Sequence, residues 1–195
     1  MVEVGVIVFV QIQREPMKTL INKQRVYRTD PLLRVKQLYL SPKGIEGVTE
    51  QGETYTDVHH SEHPNSRYRG NNSLSFGFLH HYVAMRQRFG SHIADGVAAE
   101  NIIFKMNQQY LDDPLTDLLI IRTRTGQEVV LSDVTPAAPC VEFSQFCHGH
   151  DSSTADLKDT LRFLDNGRRG YYAKLPKQDY LVQAGDILYR PDRSI

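Results

Sequence analysis

The sequence carries no excess charge of either sign: among 195 residues, 23 lysines and arginines are matched by 23 aspartates and glutamates. A protein held to nucleic acid or to a membrane surface by bulk charge is therefore not expected, although local basic patches are compatible with a neutral total. Cysteine is scarce, with only Cys140 and Cys147. Small secreted domains usually carry larger cysteine sets at framework spacings, so this usage suits a reducing, cytoplasmic setting. No apolar run approaches the roughly 20 residues of a membrane span. The opening Val2-Glu3-Val4-Gly5-Val6 lacks the basic segment that starts a secretory leader. There is no Gly-rich dinucleotide fingerprint, so a reductase built on this chain would draw electrons from a partner protein. Internal repeats and low-complexity tracts are also missing. The length fits a single domain over 1–195 with one well-buried core.

What is present reads mainly as short strands. Val2, Val4, Val6, Val8, Val10 and Ile12 alternate along a first strand, which Pro16 ends. A second strand fits Arg34 to Leu40, between Pro31 and Pro42. Residues 42–73, rich in Gly, Glu, Asp, His, Ser and Asn, show no apolar period and read as one long loop. Loops of that length in compact domains are usually functional or disordered. Its Tyr55, Val58, Pro64 and Tyr68 give it enough apolar surface to be held against the body of the protein. Phe78, Tyr82, Met85 and Phe89 share a helical face, with Ser75 as a start cap and Gly90 as a stop. Asn101 to Phe104 is a short strand. Leu118 to Thr123 and Glu128 to Val134 flank a Thr-Gly turn and form a hairpin. A second helix spans Thr154 to Leu164, opened by a Ser153/Asp156 capping box and closed by Asn166-Gly167. Tyr180 to Tyr189 reads as a last hairpin around Ala184-Gly185-Asp186. The class is mainly β, a β-barrel with a few helices, since closure removes the exposed edges of so many short strands.

The residue placed most deliberately is Cys140. Pro136 and Pro139 stiffen its approach, because proline fixes its own φ and biases the preceding residue toward extended conformations. A thiol that only fills a core needs no such frame; one that ligates metal or carries sulfur does, because its surroundings set its reactivity. His59, His60 and His63 cluster beside Asp57 and Glu62. They could bind a metal, shuttle protons near neutral pH, or simply hold a polar loop. Cys147, His148 and His150 with Cys140 form a second metal-type set of unusual spacing, for which a polar loop is the alternative. Lys18, Arg67, Arg69, Arg168 and Arg169 are candidates for gripping an anion, since arginine forks match phosphate bidentately. Asn71, Asn72 and Ser73 supply neutral donors and acceptors.

Several of these pieces together resemble the MOSC domain, found at the C-terminus of molybdenum cofactor sulfurases and as a stand-alone protein. Gly44-Ile45-Glu46-Gly47 is similar to the family's Gly-x-x-Gly, Asp57-Val58-His59-His60 to its acid-x-histidine element, and Ala99-Glu100-Asn101-Ile102 to its Gly-Glu-Asn strand start. Pro139-Cys140 resembles its signature cysteine and Ala184-Gly185-Asp186 its closing turn. Val48 stands where the family usually has an aspartate, and Ala99 where it has a glycine, so that a Cβ narrows a ligand's approach to the backbone.

The resemblance implies a closed MOSC-like β-barrel that binds a molybdenum-pterin cofactor or handles sulfane sulfur. Cys140 would be the metal ligand or sulfur acceptor. Asp57, His59 and His60 would shape the pocket or move protons. Arg67 and Arg69 would meet the cofactor's phosphate, and Asn71, Glu100 and Asn101 would bind its pterin. Some relatives reduce N-hydroxylated substrates, which would require an electron-donor protein here. Sulfur handling would require a donor such as a separate cysteine desulfurase, because no lysine stands in a pyridoxal phosphate context. A non-catalytic cofactor or sulfur carrier and a zinc-dependent hydrolase built on the histidine loop are the alternatives.

Overall fold

The structure is a computed structural model that describes residues 1–70, 73–111, 115, 117–149 and 153–192. Its strands in chain order are β1 (Val2–Gln13), β2 (Lys18–Ile21), β3 (Gln24–Tyr27), β4 (Leu32–Val35), β5 (Gln37–Ser41), β6 (Gly44–Val48), β7 (Thr54–Thr56), β8 (Leu74–Phe78), β9 (Ile102–Met106), β10 (Leu118–Arg122), β11 (Glu128–Pro136), β12 (Tyr171–Lys174), β13 (Tyr180–Gln183) and β14 (Ile187–Arg190). Its helices are α1 (Leu79–Phe89), α2 (Val141–His148) and α3 (Thr154–Leu164). None of them is long and apolar enough to cross a membrane.

Seven strands close into a barrel in the order β1, β14, β10, β11, β12, β8, β9 and back to β1. The β8–β9 pair is parallel and the other six pairs are antiparallel. The far half of β1 also pairs with β4, and a second sheet, in the order β13, β5, β6, β7, packs beside it. The barrel is filled by alternate side chains of its strands. Leu119 and Ile121 on β10 face inward with Val129 and Leu131 on β11, while their neighbours turn out. Phe76, Phe78 and Phe104 meet in the interior at centroid distances of 5.8 to 6.0 Å. Each such buried ring contributes about 1.5–3 kcal/mol.

A second core lies outside the barrel wall. There Tyr82 and Met85 of α1 join Phe143 and Cys147 of α2, Leu164 of α3, and Met17 and Tyr27 at the base of the β2–β3 hairpin. A cavity forms at the seam between the two cores.

Several expectations change in the folded chain. The alternation in β1 breaks at two register shifts, between Glu3 and Gly5 and between Ile7 and Phe9. The residues buried in the barrel are therefore Val4, Ile7, Val10 and Ile12 rather than every even position. The strand over 34–40 is two strands, β4 and β5, broken at Lys36. The stretch 42–73 is not one structureless loop but begins with β6 and β7, whose small and polar residues hide their period. Ser75 does not cap α1; it lies in β8, and Phe78 is the cap residue. The residues 180–189 are not a hairpin, because β13 pairs with β5 while β14 pairs with β1 and β10. The Gly185-Asp186 turn is a corner clamped to β1, with Gly185 N–H donating to Ile7 O and Ile7 N–H to Asp186 O. α2 has no counterpart in the sequence reading, which ran a polar loop to 150. α3 matches at both ends, and its Ser153/Asp156 capping box is formed.

The segment after β7 is fastened to the barrel most heavily at Asp57. Asp57 is wholly buried, and its carboxylate accepts four hydrogen bonds. Oδ2 takes the Gln13 N–H at 2.8 Å and Asn101 Nδ2 at 3.0 Å; Oδ1 takes the His59 N–H at 2.8 Å and His59 Nδ1 at 3.0 Å. Asn101 extends the knot: its Oδ1 accepts from the Ser75 N–H and hydroxyl, and its Nδ2 also reaches Gln11 O. Gly44 receives the next turn, since a Cβ there would meet the backbone and ring of His60.

Removing the Asp57 carboxylate strands buried donors, each costing about 1–3 kcal/mol. Asp57→Ala is therefore expected to lower the unfolding free energy by at least about 2 kcal/mol in urea melts. A loss under half of that would show that the knot is not structural.

Candidate functional site

The site is a cavity of about 320 Å³ at the barrel mouth. The β2–β3 hairpin and its approach contribute Pro16, Met17, Lys18, Arg25 and Tyr27. The segment after β7 contributes Val58, His59, Arg67 and Arg69. The barrel and its connections contribute Gln13, Ser75, Ala99, Arg169 and Tyr172. Lys18, Arg25, Arg67, Arg69 and Arg169 give five cations, and among the described residues no aspartate or glutamate lines the cavity. Such a wall raises the local concentration of anions.

Each lining residue has a local cause. The hairpin turns through Asn22 and Lys23, both with positive φ of 49° and 67°, the geometry that suits a two-residue turn to the strand twist. Tyr27 anchors the hairpin's base, donating its hydroxyl to Val97 O at 2.7 Å. Ala99 sits at φ 72°, a left-handed conformation that costs a non-glycine residue about 1–2 kcal/mol. Gln13 holds it there by donating from Nε2 to its carbonyl at 2.9 Å. Arg169 reaches the cavity beside Phe143. Its Nη2 donates to Ala98 O at 3.3 Å, while its buried Nε has no hydrogen-bond partner among the described residues. The chemistry open to this arrangement is capture of a multiply charged anion.

Of the residues singled out from sequence, Lys18, His59, Arg67, Arg69 and Arg169 line the cavity. Asp57 lies behind it, orienting His59. The side chain of His60 is buried away from the lining. Its Nδ1 accepts the Glu62 N–H, and His63 is likewise tied to Asn65 N–H and Arg14 O. Asn101 spends both ends of its amide on the knot, so it acts on the cavity through Ser75. Arg168 turns to Phe163, donating to its carbonyl and lying over its ring. Asn71, Asn72 and His150 lie outside the described residues. Among the described residues no three His, Cys, Asp or Glu side chains gather as metal ligands.

Cys140 is half-buried at the N-cap position of α2, where it makes no capping hydrogen bond. It is therefore at a helix start rather than merely a strand end. It does not itself line the cavity, but it is close enough to Tyr27 and Arg169, which do, to act on their charges. Cys147 lies fully buried two turns on, and burial pushes its thiol up to about 12. The signals for α2 were in the sequence: Glu142 in the first turn, Phe143 and Cys147 at helical spacing, and Gly149 just past the end.

Glu100 lies under the floor. Gly77 and Gly170 leave it room, and Tyr82 donates its hydroxyl to Oε2 at 2.5 Å. Burial raises its carboxyl to about 7 against an ordinary 4.5, although Tyr82 and Arg169 pull the other way. A carboxyl raised on folding is neutral where the unfolded chain ionises, so the native state loses stability as pH rises from about 4.5 to about 7. Glu100→Gln is expected to remove that loss. Wild-type minus variant stability should fall by roughly 3 kcal/mol across the window, and parallel pH profiles would contradict the assignment. The two thiols should also differ. Alkylation at limiting reagent, read by peptide mass spectrometry, is expected to label Cys140 first; equal or preferential labelling of Cys147 would contradict this.

No family model matches the chain, and no curated protein matches it in sequence. Solved structures do match its fold. YiiM from Geobacillus stearothermophilus superposes with a TM-score of 0.56 at 15% identity, over 98% of this chain and 77% of that one. YiiM from Escherichia coli gives 0.51 at 17%, over 91% and 71%. YuaD from Bacillus subtilis gives 0.52 at 10%, over 94% and 96%. YiiM is a MOSC-domain protein, and at these identities the likeness shows the fold: this chain is a MOSC-like barrel.

Proposed function

We propose that the cavity binds a molybdenum-pterin cofactor, or serves sulfane-sulfur handling, with Cys140 as the metal ligand or sulfur acceptor. The observation that carries this reading is a wall of five cations without a lining carboxylate, beside a thiol at the start of a helix. A phosphorylated cofactor fits these residues. Arg67, Arg69 and Arg169 would hold its phosphate, and the unpartnered Nε of Arg169 is a donor ready for an anion. Gln13, Ser75 and Tyr172 would meet its polar edges. A cofactor that brings its own metal needs few protein ligands, which suits a site with one accessible thiol nearby; thiolate is a ligand type suited to soft metals. Bound, such a cofactor would supply two-electron redox chemistry fed by an electron-donor protein.

The chain's own residues have separate tasks. His59, with Nδ1 held by Asp57, presents Nε2 to hold or move a proton, as the reduction of an N-hydroxylated substrate requires. The Asp57 contact fixes the ring's orientation. The cation wall excludes other cations and draws the anion in. In sulfur handling, Cys140 would receive sulfur from a separate cysteine desulfurase. Ala99 favours a second reading, a carrier that passes cofactor or sulfur on without turning over. Ala99 lines the cavity, and a glycine in its place would carry no Cβ beside a reacting group.

Elemental and sulfane-sulfur analysis of protein from its native host tests the proposal. Molybdenum or persulfide is expected in the wild type and is expected to disappear in Cys140→Ser with little change in thermal midpoint. Turnover of an N-hydroxylated compound with a reductant supports the enzyme, and cofactor without turnover supports the carrier. A buried structural cysteine would instead cost about 1–3 kcal/mol on gaining a hydroxyl. A variant that melts early, from a wild type that never carried molybdenum or persulfide, would sink both readings.

A further inference from the structure

Two of the five cavity cations share one acid. Lys18 and Arg25 project from the β2–β3 hairpin and meet Glu142 in the first turn of α2. Lys18 Nζ lies 3.0 Å from Oε2, and Arg25 Nη1 lies 3.6 Å from Oε1. The Glu142 side chain is 13% exposed, against 38% for Lys18 and 69% for Arg25, so the acid is fixed and the cations are the movable partners. Glu142 lies two residues beyond Cys140. The hairpin pairs with no other strand. Its base is buried at Met17 and Tyr27, and its far end is open, with Leu20 70% exposed. Glu142 is thus the ionic link between the charged stretch of the hairpin and α2.

We infer that Glu142 is a built-in counter-anion of the cavity. It occupies Lys18 and Arg25 in the free protein and yields them to a ligand of higher negative charge. The inference rests on the reading of the cavity as an anion site and adds a charge threshold to it. A carboxylate offers one charge and two acceptor oxygens; a phosphate offers up to two charges and three oxygens. An anion of low charge gains little by exchanging with a carboxylate that is tethered in place and so present at high effective concentration. A ligand with several charges recovers both cations and also engages Arg67, Arg69 and Arg169. Glu142 therefore keeps Lys18 and Arg25 from weakly charged anions and yields them only to strongly charged ones. The opposite role, a clamp that holds Lys18 and Arg25 ready for the ligand, predicts the opposite sign.

Calorimetric titration of the full chain with inorganic phosphate and with pyrophosphate, at low ionic strength, separates the two. Glu142→Gln is expected to bind phosphate at least fivefold more tightly than wild type. Pyrophosphate should gain at least as much, because in the wild type it must break both ion pairs to reach Lys18 and Arg25. Weaker or unchanged binding of both anions by the variant would overturn the inference while leaving the anion site standing. Binding of neither anion by either protein would overturn the inference and the reading beneath it together. Should Glu142→Gln not fold, Lys18→Gln gives the same decision. It is expected to weaken pyrophosphate binding more than phosphate binding, and an equal loss would overturn the inference.

Discussion

The carboxylate of Asp57 is the contact on which the rest of the site depends. It is one buried group accepting from the end of β1, from the residue before β9 and from its own segment. With it, the Val58 N–H bond to Gln13 O is joined by four more hydrogen bonds that fix the segment carrying His59, Arg67 and Arg69. A buried ionised group is tolerable where its acceptor capacity is filled, and here four donors converge. Asn101 is the necessary companion, because it spends its amide on Asp57, Gln11 and Ser75 at once. Two residues that a motif reading assigns to cofactor chemistry thus shape the site from behind.

The cavity owes its charge to its position between two cores. The barrel interior and the helical cluster are both apolar, and neither has room for a guanidinium. Basic side chains from the hairpin, from the segment after β7 and from the turn after α3 can all reach the seam between them. Arg169 shows the consequence. Its guanidinium lies near Phe143 on the apolar side and donates to the Ala98 carbonyl, while its Nε has no partner among the described residues. A buried donor left open in this way is paired in most proteins by water or ligand.

Much of the architecture was legible in the sequence where local signals were strong. α3 announced itself through its Ser153/Asp156 box, and β10 and β11 through the Thr-Gly turn between two apolar runs. β1 was legible as a strand but not in phase, because bulges at Glu3/Gly5 and Ile7/Phe9 are set by neighbouring strands and leave no mark in a period-two pattern. β6 and β7 were hidden because they pair through backbone while carrying Gly44, Gly47 and threonines. α2 was hidden because prolines before it suggested a strand end and only eight residues supply its period. At the site, residue types marked Lys18, His59, Arg67, Arg69 and Arg169. Nothing local distinguished His59, on the cavity wall, from His60, packed against Gly44.

The parallel contact between β8 and β9 has a consequence of pure parity. Strands around a closed ring can alternate up and down without exception only if their number is even, and this ring has seven. One neighbouring pair must therefore run the same way, and a parallel pair cannot be joined by a tight turn. The chain must leave the wall after Phe78 and come back in at Ile102, and the detour is α1 and the segment behind it. That detour carries Gly96, Val97, Ala98 and Ala99, whose carbonyls receive Gln11, Tyr27, Arg169 and Gln13. An odd strand count thus obliges the chain to lay a stretch of backbone across the barrel's mouth, and that stretch anchors Tyr27, Arg169 and Gln13 of the cavity wall.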